Sequence, residues 1–203
     1  MEKEDSDIAE LYNKTRKRYE NDNENVKKIV YILLALIALT GCKKNEWLDW
    51  KAENDAWFAS HDTYTFTYNY VDSITGDTCV GKKVFPMQTT DLGVKYCVLA
   101  DPNPTGARPS ASSYVTIQYE GWLINGLSFT TYDFNHNYTT QEMSYFVTGF
   151  ADGLKRIHVD GDVVMYIPYE LGYGYSPVGT EGYTSFIPPY SVLIYRVHLC
   201  SIE

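Results

Sequence analysis

Between residues 114 and 119 the chain reads Tyr-Val-Thr-Ile-Gln-Tyr, with apolar and polar side chains in alternation, and continues through Glu120-Gly121-Trp122-Leu123. Successive side chains of a strand point to opposite faces, so this period of two predicts a strand with one buried face. Asn125-Gly126 then supplies the positive-φ residues of a tight hairpin turn, and Leu127 to Thr131 is the expected return. Tyr64, Phe66, Tyr68 and Tyr70 alternate with Thr and Asn in the same way, which predicts a half-buried aromatic strand paired with a neighbour or with a partner's edge. Asp72 to Lys83 reads as turns. Gln88 to Gly93 leads into a strand over Val94 to Ala100, and Asp101 to Ser112, rich in Pro and small residues, reads as a loop. After a polar loop from Tyr132 to Thr140, further strands are expected at Gln141 to Val147, Val163 to Ile167 and Val192 to Cys200.

Helical spacing occurs twice. Phe150, Leu154 and Ile157 share one side of a short helix over Gly149 to Ile157. Trp47, Trp50 and Trp57 fall on one face of a second helix, where a Trp stripe signals docking on the domain more than ligand binding. Many strands with one short helix inserted late describe an α+β fold, a bent antiparallel sheet wrapped around a short helix, preceded by a helix/strand extension. The stretch Pro168 to Ser191 is too long for a simple connection and is expected to carry function.

Composition narrows the chemistry. Nineteen Tyr, eight Phe and four Trp in 203 residues favour β structure and aromatic surfaces. A net charge of -9, with no basic cluster outside the N-terminal segment, argues against nucleic acid, whose phosphates demand a basic face. The four cysteines, at 42, 79, 97 and 200, have no metal-ligand spacing, so neither a metal nor a cofactor is expected. No nucleophile constellation or phosphate loop stands out. Instead Tyr169-Glu170-Leu171-Gly172-Tyr173-Gly174 and Phe186-Ile187-Pro188-Pro189 gather aromatic and apolar residues around one bend, a composition suited to a shallow apolar pocket.

At the front, Lys27-Lys28 precede eleven apolar residues, Ile29 to Leu39, and Leu39-Thr40-Gly41-Cys42 closes the run. This is the layout of a secretory signal, and the run is too short to span a bilayer, which needs roughly 18 residues or more. The closing tetrapeptide resembles a bacterial lipobox, which implies lipidation of Cys42 and a membrane anchor of more than one acyl chain. With Cys42 lipidated, at most one disulfide can form among Cys79, Cys97 and Cys200. Residues 1–41 therefore read as a leader, spurious or cytoplasmic, plus a lipoprotein signal peptide; 42–87 as the extension; and 88–203 as the main domain.

In that main domain, the order Tyr119-Glu120-Gly121, Asn125-Gly126, Phe129, Val147-Thr148-Gly149-Phe150-Ala151-Asp152-Gly153-Leu154, Ile167-Pro168-Tyr169-Glu170-Leu171-Gly172-Tyr173-Gly174 and Ile187-Pro188-Pro189 resembles the FKBP-type peptidyl-prolyl cis-trans isomerases. The resemblance covers about the last 110 residues, with Val94 to Ala100 as first strand. It implies a pocket between sheet and helix walled by Tyr119, Phe129, Phe146, Val147, Tyr173, Ile187 and Tyr195, with Phe150 as floor where the family commonly has Trp. It also implies that the Val147 N–H and the Tyr173 hydroxyl hydrogen-bond a bound peptide. Phe186 is expected beside the entrance. Thr130 stands at the binding site where the family usually has Asp, and the resemblance implies that this change and Phe150 would both weaken activity.

The expected function is isomerisation of X-Pro bonds in proline-containing exported or envelope polypeptides, on the periplasmic side or at the cell surface. The alternatives are a non-catalytic binding or chaperone module of the same fold and a structural envelope lipoprotein assembled through the Tyr64 to Tyr70 strand. Cys42→Ala is expected to move the protein from the membrane to the soluble fraction in cell fractionation. Unchanged partitioning would exclude the anchor.

Overall fold

In the computed structural model, residues 46–71, 78–131 and 133–203 are described; the leader, the apolar run and Cys42 lie outside them. Helix α1 (Glu46–Ser60) is followed by strands β1 (Thr63–Val71), β2 (Thr78–Pro86), β3 (Gln88–Thr89), β4 (Lys95–Ala100), β5 (Tyr114–Trp122) and β6 (Tyr138–Glu142). Helix α2 (Thr148–Leu154) and strands β7 (Asp162–Ile167) and β8 (Leu193–Ile202) complete the chain. No helix among the described residues is long and apolar enough to cross a membrane.

Strands β3 to β8 form one antiparallel sheet in the order β3-β4-β7-β8-β5-β6, and β1 and β2 form a separate antiparallel pair. Together with α2 this is the expected α+β arrangement. Along β8, Leu193, Tyr195, Val197 and Leu199 are buried on one face, and the residues between them face the other side. The buried set joins Val115, Ile117, Phe150, Leu154, Met165 and Ile167 in the core beneath α2. Helix α2 can lie this close to β7 because two of its residues lack side chains. A Cβ at Gly149 would strike Ile167, and one at Gly153 would strike Met165.

The opposite face of the sheet is also covered. Cys97, Val164 and Tyr166 are buried there against Trp57, Phe58, Tyr64 and Phe85 from α1, β1 and β2. Trp57 meets the Tyr166 ring edge-on at 4.9 Å, and the Tyr166 hydroxyl donates to the Thr63 carbonyl at 3.2 Å. Further along β1, the Arg196 guanidinium lies between the rings of Phe66 and Phe134, at 5.3 and 4.1 Å. Such contacts add cation–π attraction to apolar burial and fix how the hairpin lies on the sheet. Cys97 and Cys200 sit on strands separated by β7, where the register sets Cys97 level with Arg196 and four residues from Cys200, and Cys79, Cys97 and Cys200 are all free thiols.

Three readings of the sequence are corrected. Residues 78–83, read as turns, belong to β2, paired with β1 from Thr63↔Pro86 to Val71↔Thr78. The turn at Asn125-Gly126 exists, but only Gly126 has positive φ (80°). The Leu123 carbonyl accepts from Gly126 N–H and the Leu127 carbonyl from Leu123 N–H, a three-residue loop with glycine at its left-handed position. The return beyond it is brief, one bridge at Trp122↔Ser128. The strand expected at Gln141 to Val147 lies earlier, at Tyr138–Glu142, and gives way to a single 3-10 turn at Met143–Tyr145.

Helix α1 also holds the end of the long loop. Asn54 is fully buried (0% exposed); its Oδ1 accepts from the Val192 N–H at 2.7 Å, and its Nδ2 donates to the Trp50 carbonyl at 2.8 Å. Trp50 Nε1 donates to Ser191 Oγ at 3.0 Å, and that hydroxyl donates onward to the Pro188 carbonyl at 2.7 Å. Asn54→Leu strands the buried Val192 N–H without an acceptor, a loss of about 1–3 kcal/mol. The expected readout is a lower urea midpoint at unchanged slope; an unchanged midpoint would show that the bond contributes nothing.

Candidate functional site

The side of the sheet that packs on α2 carries a two-lobed depression between β5, α2 and the loop that joins β7 to β8. Tyr119, Tyr173 and Tyr195 line both lobes. The first lobe, about 180 Å³, is completed by Thr139, Gln141, Tyr145, Phe146, Val147 and Phe150. In the second, about 280 Å³, Phe129, Val178 and Ile187 supply apolar wall and Thr130, Thr131, Asn137 and Ser185 supply polar groups.

Position follows from local structure. Alternation on β5 and β8 turns Tyr119 and Tyr195 toward α2, where they meet Phe150 at 6.4 and 4.9 Å, both edge-on. Phe129 closes the set, 5.3 Å from Tyr195 and again edge-on. These rings interlock through the edge-to-face geometry that aromatic quadrupoles favour. Phe150 is 3% exposed and so belongs to the core as well as to the site's floor. Phe146 stacks on it at 4.6 Å with planes 21° apart, and the paired rings widen a floor that a single Phe would leave narrow.

Tyr173 is 41% exposed and sits between Gly172 and Gly174. Its loop is held in shape by ring contacts among Tyr169, Tyr175 and Tyr190, with centroids 5.5 to 5.7 Å apart. The Tyr190 N–H donates to the Gly174 carbonyl at 2.9 Å, and Val178 and Ile187 form a bridge across the loop. Burial, and then the neighbouring hydroxyl of Tyr173 to which it hydrogen-bonds, hold the Tyr195 phenol well above the ordinary tyrosine range. The site thus presents hydroxyls beside apolar rings. Val147 precedes the first turn of α2, and no described group accepts its backbone N–H.

Of the residues singled out from sequence, Tyr119, Phe129, Thr130, Phe146, Val147, Phe150, Tyr173, Ile187 and Tyr195 come together here. Thr130 Oγ1 lies 3.0 Å from Ser128 Oγ and accepts from Gly121 N–H at 3.5 Å. Phe186 does not join them; it turns to a neighbouring groove and packs against Trp47 at 6.2 Å. Thr139 and Gln141 share one face of β6 through its period of two, a signal that a strand expected at Gln141 to Val147 does not show. Tyr145, Thr131, Asn137, Val178 and Ser185 lie outside regular strands and carry no periodic signal.

The model of the FKBP-type peptidyl-prolyl cis-trans isomerase family matches residues 106–200. These residues are similar to an FKBP-type domain. FkpA of Escherichia coli (strain K12), an FKBP-type peptidyl-prolyl cis-trans isomerase, is 32% identical over 122 residues, 58% of this chain and 40% of that protein. The outer membrane protein MIP of Legionella longbeachae is 30% identical over 99 residues, 49% of this chain and 40% of that protein. The chain thus spans about 40% of the length of these curated relatives. The crystal structure of E. coli FkpA superposes with a TM-score of 0.55 at 24% identity, over 87% of this chain and 72% of that one, and shares its fold.

Within the matched residues, Gly121 faces the rings of Phe129 and Tyr195, and a Cβ there would overlap both. Gly121→Ala is expected to push Phe129 away from Tyr195 and to cost about 1–3 kcal/mol of stability. Loss of the NOE between the two rings, with a lower unfolding midpoint, is the readout. An intact NOE would mean that the sheet yields instead.

Proposed function

We propose that the protein is a peptidyl-prolyl cis-trans isomerase acting on X-Pro bonds of exported or envelope polypeptides. The observation that carries this reading is the aromatic two-lobed site within the residues similar to an FKBP-type domain, where three tyrosines separate an apolar floor from a hydroxyl-lined wall. Rotation about a peptide bond is opposed by about 18–20 kcal/mol because resonance must be broken. A twisted amide has lost that resonance and is less polarised than a planar one. An apolar cavity therefore favours it over the ground state, which is catalysis by differential binding. Phe150 and Phe146 form the surface on which a prolyl ring would rest, while the Val147 N–H and the Tyr173 hydroxyl hold the flanking carbonyls. Phe129, Ile187 and Tyr195 exclude water around the rotating bond. No proton transfer or covalent intermediate is required.

The envelope setting is supported by the relatives, one of which is named an outer membrane protein. We assign the signal-like run and Cys42 to export and lipid anchoring on the same footing, with the domain held at the membrane surface. A second reading, a module that binds unfolded chains without turnover, is favoured by one observation: Thr130 supplies a hydroxyl already engaged by Ser128 and Gly121.

A protease-coupled assay on a chromogenic X-Pro tetrapeptide separates the two readings. The isomerase reading expects clear acceleration over buffer. Tyr173→Phe, which removes the hydroxyl together with its bond to Tyr195 and leaves the ring, is expected to lower kcat/KM about three- to tenfold, the value of one hydrogen bond. Phe150→Ala is expected to abolish activity while also reducing stability. A wild-type rate equal to buffer, with aggregation suppression retained, would replace the enzyme by the binding module.

A further inference from the structure

Behind the second lobe runs another apolar cavity, about 350 Å³, lined by Leu123, Leu127, Tyr183, Phe186 and Pro188 with Asn125, Ser128 and Thr184 at its polar positions. It shares two walls with the proposed active site. Along the loop, Ser185 and Ile187 face the lobe, while Thr184, Phe186 and Pro188 face the groove. Along the chain after the tight turn, Phe129 and Thr130 face the lobe and Ser128 faces the groove. Nothing in the described fold covers the apolar rim. Leu127, 64% exposed, and Tyr183, 71% exposed, stand together on the rim of this one apolar groove. No charged side chain lines the groove.

We propose that this groove seats an apolar side chain of an unfolded polypeptide whose proline occupies the adjoining lobes, a docking surface that rests on the isomerase reading. The occupant follows from the setting. The groove is continuous with the substrate site through backbone shared at 128–130 and 184–188, so a chain leaving the lobes over that rim meets it first. Its lining selects an uncharged, apolar side chain, and the Asn125 amide nitrogen and the Thr184 hydroxyl offer hydrogen bonds to an extended backbone. Apolar side chains next to an accessible X-Pro bond belong to unfolded chains, since folding buries them. Helix α1 contributes through Trp47, which braces Phe186 at 6.2 Å and fixes one wall of the groove.

Leu127→Asp and Tyr183→Asp place a charge in the groove at exposed positions that the pocket does not use. Each is compared with wild type on an X-Pro tetrapeptide with alanine before the proline, which offers the groove no large apolar side chain, and on a proline-limited refolding protein. The expected result is tetrapeptide kcat/KM unchanged within about twofold and kcat/KM for refolding reduced about tenfold through KM, the loss expected when one buried apolar contact is removed. Unchanged refolding catalysis would overturn the proposal, and so would equal losses on both substrates, which would report damage to the pocket. If wild type turned over neither substrate, the isomerase reading would fall by itself. Fluorescence anisotropy with a labelled, permanently unfolded polypeptide would then decide the groove: about tenfold weaker binding by both variants supports it, and undiminished binding overturns it.

Discussion

Strand β7 is buried on both faces, and the architecture follows from that constraint. Val163, Met165 and Ile167 point to one side, Val164 and Tyr166 to the other, and each set must be kept from water. The sheet alone cannot do this. Helix α2 covers the first side, closely enough that Gly149 and Gly153 must carry no side chain. Helix α1 and the β1-β2 pair cover the second. The extension is therefore a structural layer of the unit that spans residues 47–203.

The site lies where the first of these layers meets the loop between β7 and β8. Phe150, Ile187 and Tyr195 are at once core and site, so the floor inherits the rigidity of the packed interior. Tyr173 differs: it is exposed and loop-borne, held by glycines and a ring of tyrosines. A rigid apolar floor with a hydroxyl on a braced loop suits a reaction that needs shape and polarity but no chemical group to be consumed.

Much of this was legible from the order of residues. The β5, β7 and β8 runs announce themselves by alternation or by continuous apolar character, and the Tyr119 to Ile187 series carried the family resemblance. Misreadings arose where pairing overrides local signal. β2 contains Gly81, Lys82 and Lys83 and is mostly exposed, so only its ladder with β1 makes it a strand. The return after Gly126 stops early because a single edge of β5 is divided: Ser128 and Phe129 meet its end, and β6 takes residues 114–118. The aim of Phe186 depended on the alternation of an irregular loop braced by a helix more than a hundred residues earlier in the chain, which no local pattern encodes.

The bonds from Trp50 and Asn54 to residues 191–192 bear on how this protein can be cut or recombined. A fragment starting at Gln88 would retain every strand of the main sheet, yet the last turn before β8 would lose its side-chain acceptor and Tyr166 and Val164 would face solvent. Grafting the domain onto another protein without α1 would transfer the recognisable residues and leave behind part of what keeps them in register. The boundary that sequence similarity draws and the boundary across which the molecule can be divided are thus separated by a helix and a hairpin.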